Sequence, residues 1–186
     1  MKKLLPFALL FSLTINCFSQ TKFEPGYLIN NENEKIECLI KNLDWKNNPK
    51  KFEYKLSDTS ETLTTNIEEV KEFCISNSQK YVRFTVGIDR SSNNIDHLDI
   101  TGKVTLNEEQ LFLKALLEGK ATLYAYEDEY VKRFFYKVDS SKVAQLIFKR
   151  YNDPYKETLV RENNEYKQQI WINLKCPDIS LKDVEM

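Results

Sequence analysis

Apolar and polar residues alternate with period two along most of this chain, which is the pattern of half-buried β-strands. Lys51-Phe52-Glu53-Tyr54-Lys55-Leu56 is the clearest case, with Phe52, Tyr54 and Leu56 predicted inward and the charges outward. Before it, Tyr27-Leu28-Ile29 and Ile36-Glu37-Cys38-Leu39-Ile40 flank an Asn/Glu-rich connection. Asn tolerates left-handed backbone, so this reads as a hairpin, entered by a turn at Glu24-Pro25-Gly26 and with Ile36, Cys38 and Ile40 on one face. Pro49 breaks the pattern after Trp45. A Thr-rich, β-prone stretch follows over 61–67, then one helical turn over 68–72, then strand at Phe73-Cys74-Ile75. Val82, Phe84, Val86 and Ile88 predict another strong strand. The polar run from Asp89 to Leu106 reads as an exposed loop.

Residues 111–138 are the centre of the prediction. LFLKALLEG, KATLYAY and YVKRFFYKV follow one another with only tight turns between, and read as a three-stranded antiparallel meander. A two-residue turn at Glu118-Gly119 would set Leu113 opposite Tyr124 and Phe112 opposite Ala125. Leu111, Leu113, Tyr124 and Tyr126 then share one face, and Phe112, Leu116, Ala121, Leu123 and Ala125 the other. Both faces are apolar, so the sheet should be covered on both sides. A helical alternative exists for 108–118, because Asn107 and Gln110 imitate a capping box and Gly119 a helix stop. Val143 to Phe148 is a further predicted strand, broken at Asn152-Asp153-Pro154. Asn163 then reads as the N-cap of a helix whose Tyr166, Ile170 and Leu174 form one stripe, with Trp171 beside it, stopped by Pro177. That helix is the expected cover for the second apolar face. The predicted fold is mainly β: an antiparallel β-sandwich or partly open barrel with one C-terminal helix packed on it.

The N-terminus has a different character. Lys2 and Lys3, the apolar run 4–15 and the small residues of Cys17-Phe18-Ser19 make residues 1–19 a signal peptide, which predicts export. Acylation at Cys17 is the alternative, disfavoured by the bulky Asn16. The run is shorter than the ~20 residues of a membrane helix, so no transmembrane span is expected after cleavage. Residues 20–176 are then a single β-rich domain and 177–186 a tail. Cleavage removes two of the 27 basic residues and none of the 28 acidic ones, leaving a net charge of −3. That balance speaks against nucleic acid as a partner.

Candidate chemistry is sparse. His97 is the single histidine, flanked by Asp96 and Asp99, with Ser91 and Ser92 nearby, but in a polar loop without the rigid support a catalytic or metal site requires. No phosphate-cradling glycine loop, nucleophile elbow or HExxH is present, so no nucleotide, metal or other cofactor is expected. Cys38, Cys74 and Cys176 remain in the mature chain, and Cys38 and Cys74 read as small buried hydrophobes. The aromatics are the more informative excess. Strand aromatics usually belong to cores, yet rigid amphipathic rings also make binding surfaces. Trp45, in its loop, and Tyr124 and Tyr126 are the candidate partner-binding residues.

GYLINNENEKIECLIKNLDWKNNPKKFEYKL, KEFCI, YVRFTVGIDRSS, EEQLFLKALLEGKATLYAY, RFFYK, AQLIFKRY and NNEYKQQIWINLKC together resemble the N-terminal module of a family of uncharacterised secreted proteins of Gram-negative bacteria. In longer relatives this module precedes an outer-membrane β-barrel, so the resemblance implies a cell-envelope setting, in the periplasm or at the cell surface. No ten-residue amphipathic strands for such a barrel follow the helix here. The expected function is a non-enzymatic interaction or structural module of the envelope, with an envelope protein or glycan as partner. The alternative is a hydrolase working through two carboxylates on envelope glycan.

Overall fold

The computed structural model describes residues 22–174, and of Glu157 and Thr158 only the backbone. The expected signal segment 1–19, with Cys17, as well as Cys176, Pro177 and the expected tail 177–186, lie outside the described residues. Ten strands form one antiparallel sheet: β1 Phe23–Asn30, β2 Lys35–Lys41, β3 Lys51–Lys55, β4 Leu63–Asn66, β5 Val70–Ile75, β6 Gln79–Asp89, β7 Leu106–Leu117, β8 Ala121–Glu127, β9 Lys132–Val138 and β10 Ala144–Gln145. Their order across the sheet is β10-β9-β8-β7-β6-β5-β1-β2-β3-β4. A separate hairpin, β11 Lys149–Asp153 and β12 Lys156–Asn163, precedes the helix α1 Glu165–Asn173. The expected mainly-β fold with one C-terminal helix is therefore what forms, with the sheet curled on itself as a half-barrel.

The sheet carries a core on each face; of the second predicted apolar face Phe112 joins a core, whereas Leu116 is 42% exposed. Leu28, Cys38, Ile40, Phe52, Val70, Phe73, Ile75, Tyr81 and Phe112 pack on one face. Val86, Ile88, Leu111, Leu113, Tyr124, Tyr126, Val131 and Phe135 pack on the other. Phe112 and Leu113 are neighbours in β7, so period-two alternation alone puts the cores on opposite sides of the strands they share. Over the first core, β4 and β5 are joined by a short turn in which Glu69 N–H donates to Asn66 O at 3.2 Å. That turn links the end of the edge strand β4 to the start of β5, four positions away in the sheet order. Over the second core β10 comes round to β6, where Asp89 N–H donates to Gln145 Oε1 at 2.8 Å.

The pairing of β1 with β5 requires close approach. Gly26 faces Ile75, and a Cβ on it would lie 2.2 Å from the carbonyl oxygen of Cys74. Glu24-Pro25-Gly26 is thus strand rather than the expected turn. Asn33, in the β1–β2 turn, does adopt left-handed backbone with φ 66°. Cys38 and Cys74 sit on opposite faces, since their partners Gly26 and Tyr27 alternate in β1, and neither is bonded to the other. Cys38 is buried as expected, and burial with Glu37 nearby pushes its thiol up to about 11.

Several local expectations are corrected. Residues 111–117 are strand, not helix, but β7 pairs with β8 through Lys114↔Ala125, Ala115↔Tyr124 and Leu117↔Leu123, with a bulge between Ala115 and Leu117. The register is therefore two residues away from that of a two-residue turn. An even shift preserves the faces, which is why Leu111, Leu113, Tyr124 and Tyr126 still meet. Leu56 is 56% exposed because β3 stops at Lys55. The helical turn expected over 68–72 is already strand from Val70. Asn152-Asp153-Pro154 ends a hairpin strand rather than breaking the structure.

Helix α1 does not cover the second core. It buries none of its residues, and Asn164 rather than Asn163 is its N-cap. What it covers is the edge of the sheet. Gln169 accepts from Ile147 N–H at 2.7 Å and donates to Gln145 O at 2.9 Å, while Tyr166 N–H donates to Ile147 O at 2.8 Å. Edge backbone groups that would otherwise face water are satisfied in this way. The connection between β6 and β7 is tied down likewise: Asn152 N–H donates to Asp99 O, Lys149 to Lys103 O and the Asp99 carboxylate, and Asn163 to Gly102 O.

Arg90 closes the β8–β9 turn. It donates to both carboxylate oxygens of Glu109 and to Asp128, which also accepts from the Tyr126 hydroxyl. The Arg90 hydrogen bonds hold the Glu109 carboxyl below its ordinary 4.5. Burial acts to raise Asp128, but the N–H groups of Val131 and Tyr130, with Arg90 and Tyr126, outweigh it and leave the group below its ordinary 3.8. Depressed folded-state values stabilise the fold above the ordinary carboxylate range, and that contribution is lost as pH falls through the lower values. The urea midpoint is expected to be level between about pH 7 and 5 and to fall below about pH 4. Arg90→Gln should flatten the fall; an unchanged slope would show that this network does not produce it.

Candidate functional site

The three candidate aromatics do not form a surface. Tyr124 and Tyr126 are 6% and 3% exposed and belong to the second core, because the face they share with Leu111 and Leu113 is the enclosed one. Trp45 is half-buried: its indole stands edge-on to Phe73 at 5.8 Å and Tyr81 at 5.9 Å. Its loop is pinned by Asn48, whose amide donates to Phe112 O and Ala125 O at 2.7 and 3.0 Å and accepts from Glu127 N–H. A loop indole read as exposed is therefore a lid on the first core. His97 ends an exposed 3-10 turn over Ile95–His97, and Asp99 is engaged with Lys149, so the two do not form a unit.

An apolar concavity lies elsewhere, between β9, the segment after β10 and the start of α1. It has a volume of about 420 Å³ and is lined by Asn93, Lys132, Arg133, Phe134, Leu146, Phe148 and Tyr166. That size is within the usual range for a ligand pocket. Each wall follows from the pattern of its element. Phe134 and Phe135 are adjacent in a strand and must face opposite ways: Phe135 is fully buried, leaving Phe134 40% exposed toward the groove. Residues 145, 147 and 149 are buried, so Leu146 and Phe148 point outward. Leu146 N–H donates to Phe134 O at 2.8 Å, keeping these side chains beside Phe134. Tyr166 meets Phe148 edge to face at 6.2 Å.

The polar side of the groove is held from beneath. Arg133 is 3% exposed and donates through Nε to Asp89 O at 2.9 Å, through Nη1 to Lys132 O, and through Nη2 to Ser91 O and, at 3.4 Å, the Asp89 carboxylate. Burial pulls its guanidinium below the usual arginine value, and Asp89 opposes that pull. Asp89 in turn accepts from the backbone and hydroxyl of Ser91. This buried pair sets the path of the chain into the groove wall, where the side-chain oxygen of Asn93 is buried and has no hydrogen-bond partner.

No protein family, curated protein or solved structure matches the chain. The groove must therefore be read from its own residues. It contains no carboxylate, imidazole or thiol, and its two charged residues are both cationic. Packing and hydrogen bonding are what it offers a ligand. Elsewhere among the described residues, carboxylates that share a cation have that cation between them. Glu72 and Glu118 both reach the Lys80 ammonium, at 3.4 and 2.9 Å, and Glu109 and Asp128 share Arg90. Among the described residues no group of three or more His, Cys, Asp or Glu is placed to hold a metal ion. No helix of the described residues is long and apolar enough to cross a membrane.

Sequence reasoning did not find the groove. The available signals were the Phe134-Phe135 doublet, which forces one ring out of the core, and the alternation of Leu146 and Phe148 around Ile147.

Proposed function

We propose that this chain is a non-enzymatic binding module of the cell envelope, exported by its N-terminal segment, which takes an apolar group of an envelope partner into the groove beside α1. The observation that carries the reading is a concavity walled by Phe134, Leu146, Phe148 and Tyr166, with no acid–base pair in its lining. Exposed apolar walls of this kind mark interaction sites more often than they occur by chance on a soluble surface. The positive N-terminus, apolar run and small-residue cleavage site support the address.

Position-specific photocrosslinking tests the binding. A benzoylphenylalanine at Phe148 should give a discrete adduct in the envelope of expressing cells, whereas one at Tyr155, 92% exposed on the separate hairpin, should not. Equal labelling from both positions, or none from Phe148, counts against the groove. N-terminal sequencing of the accumulated protein tests the address, which fails if the chain keeps residues 1–19. The alternative of a carboxylate hydrolase on envelope glycan draws on Glu72, which accepts from the Tyr27 hydroxyl, and Glu118, both within reach of the Lys80 ammonium. The Lys80 charge between them disfavours the protonated acid that such a mechanism needs.

A further inference from the structure

Without a partner the groove leaves apolar surface open to water, with Phe134 40% exposed. The end of α1 lies close by. Asn173, its last residue, donates to the Tyr136 hydroxyl at 3.0 Å. From Tyr136, Phe134 and then Lys132 follow on the same face of β9 at two-residue steps of ~7 Å each. Chain that leaves α1 beside Tyr136 and doubles back along β9 therefore meets the groove within one such step. Residues 175–181 have that reach, since seven extended residues span up to ~23 Å, enough for a reversal as well. Pro177 cannot continue the helix. Beyond it Ile179, Leu181 and Asp183 alternate with Ser180 and Lys182, so an extended run places two aliphatic residues and then a carboxylate on one side.

The spacing and the charges match. A step from Leu181 to Asp183 equals the step from Phe134 to Lys132. With Leu181 over the Phe134 ring and the wall of Leu146 and Phe148, the Asp183 carboxylate comes level with the Lys132 ammonium. Lys132 is bonded to Glu127 at 2.7 Å, but its side chain is 55% exposed and an ammonium has several donors. Between residues 178 and 185 three acidic residues stand against Lys182 alone, while the charges of the groove lining are both positive. Resting on the reading of the groove as a binding site, we propose that its occupant in the free protein is the chain's own segment 179–183, which a partner displaces. A segment tethered so closely acts at an effective concentration on the order of millimolar. A weak contact therefore keeps the groove covered and still yields to a partner of higher affinity.

A benzoylphenylalanine at Leu181 of the purified protein reads the contact directly. Irradiation should give an adduct within one chain, mapped by mass spectrometry to the peptides that carry Phe134, Leu146 or Phe148. Adducts on other peptides, adducts joining two chains, or no adduct overturn the proposal. The double substitution Ile179→Asp and Leu181→Asp supplies a second measurement. In it the backbone amide signals of Leu146 and Phe148 should move from their wild-type positions. The envelope adduct from a benzoylphenylalanine at Phe148 should also rise about ten-fold, as for a site that is otherwise open a tenth of the time. Unmoved amides with an unchanged yield overturn the proposal as well. The two readings fail separately. A groove adduct from Leu181, with no envelope adduct from Phe148 in either chain, keeps the segment in the groove and removes the partner. An envelope adduct of equal yield in both chains, with no groove adduct from Leu181, keeps the partner and removes the segment.

Discussion

Phe73→Ala is expected to lower the free energy of unfolding by about 3–5 kcal/mol, a large share of the ~5–15 kcal/mol typical of one domain. Phe73 is fully buried and is the hub of the first core. It stacks on Phe52 at 4.1 Å and Tyr81 at 4.8 Å, and meets Phe112 and Trp45 edge to face at 5.1 and 5.8 Å. Deleting the ring removes its own transfer free energy and leaves four neighbours facing a void that a sheet held by backbone ladders cannot readily collapse. Leu56→Ala is the control. It lies past the end of β3 and is 56% exposed, so a change within about 0.5 kcal/mol is expected. Urea denaturation of both variants decides the matter, and a loss below about 1 kcal/mol for Phe73→Ala would mean that the aromatic cluster does not bear on stability as its packing implies.

The second large effect is electrostatic. Arg133→Ala is expected to cost about 3–5 kcal/mol, because the Asp89 carboxylate, 2% exposed at its residue, is left buried without its cation, and Asp89 O and Ser91 O lose their donors. This penalty belongs to breaking the pair rather than to the worth of having it. Arg133→Met combined with Asp89→Asn should therefore recover at least half of the loss, as a double-mutant cycle in urea would show. A double variant no more stable than Arg133→Ala would place the stabilisation in the guanidinium's bonds to backbone carbonyls, not in the charge pair.

The parts of this structure that depend on local alternation were legible in the chain. The strands around Phe52, Phe84 and residues 111–138 follow from period-two patterning, and the left-handed turn at Asn33 from the permissiveness of asparagine. The faces of β7 and β8 are as expected because the observed register differs from that of a two-residue turn by an even number of residues up to Ala115. The bulge beyond Ala115 was hidden by its own composition, since Ala115, Leu116 and Leu117 are all apolar and offer no polar residue to mark the irregularity. Contacts between distant segments were the least legible. Trp45 and Asn48 read as a polar break, yet their partners Phe73, Tyr81, Phe112 and Ala125 lie far along the chain. The hairpin β11–β12 is not legible because Pro154 reads as the end of an element, whereas the chain turns there and pairs back. The groove draws on four separate stretches around Asn93, Phe134, Leu146 and Tyr166, and alternation within any one of them says nothing about which others it will meet.

The order of strands in the sheet also governs how the chain reaches this state. Every neighbouring pair in the sheet joins strands consecutive in the chain except one, β5 with β1. The sheet is thus two sequential meanders welded along a single seam, where Leu28 lies opposite Phe73 and Gly26 opposite Ile75. The hairpin connections run up to the 16 residues between Asp89 and Leu106, whereas the seam must gather the whole β2–β4 excursion before it returns any contact energy. Loop-closure cost rises only by about 0.6 kcal/mol per doubling of length, so the seam is affordable, but it is the one non-local event in assembling the sheet. The aromatic hub therefore stands where the kinetic bottleneck falls, rewarding the chain with its densest packing at the moment its longest loop closes.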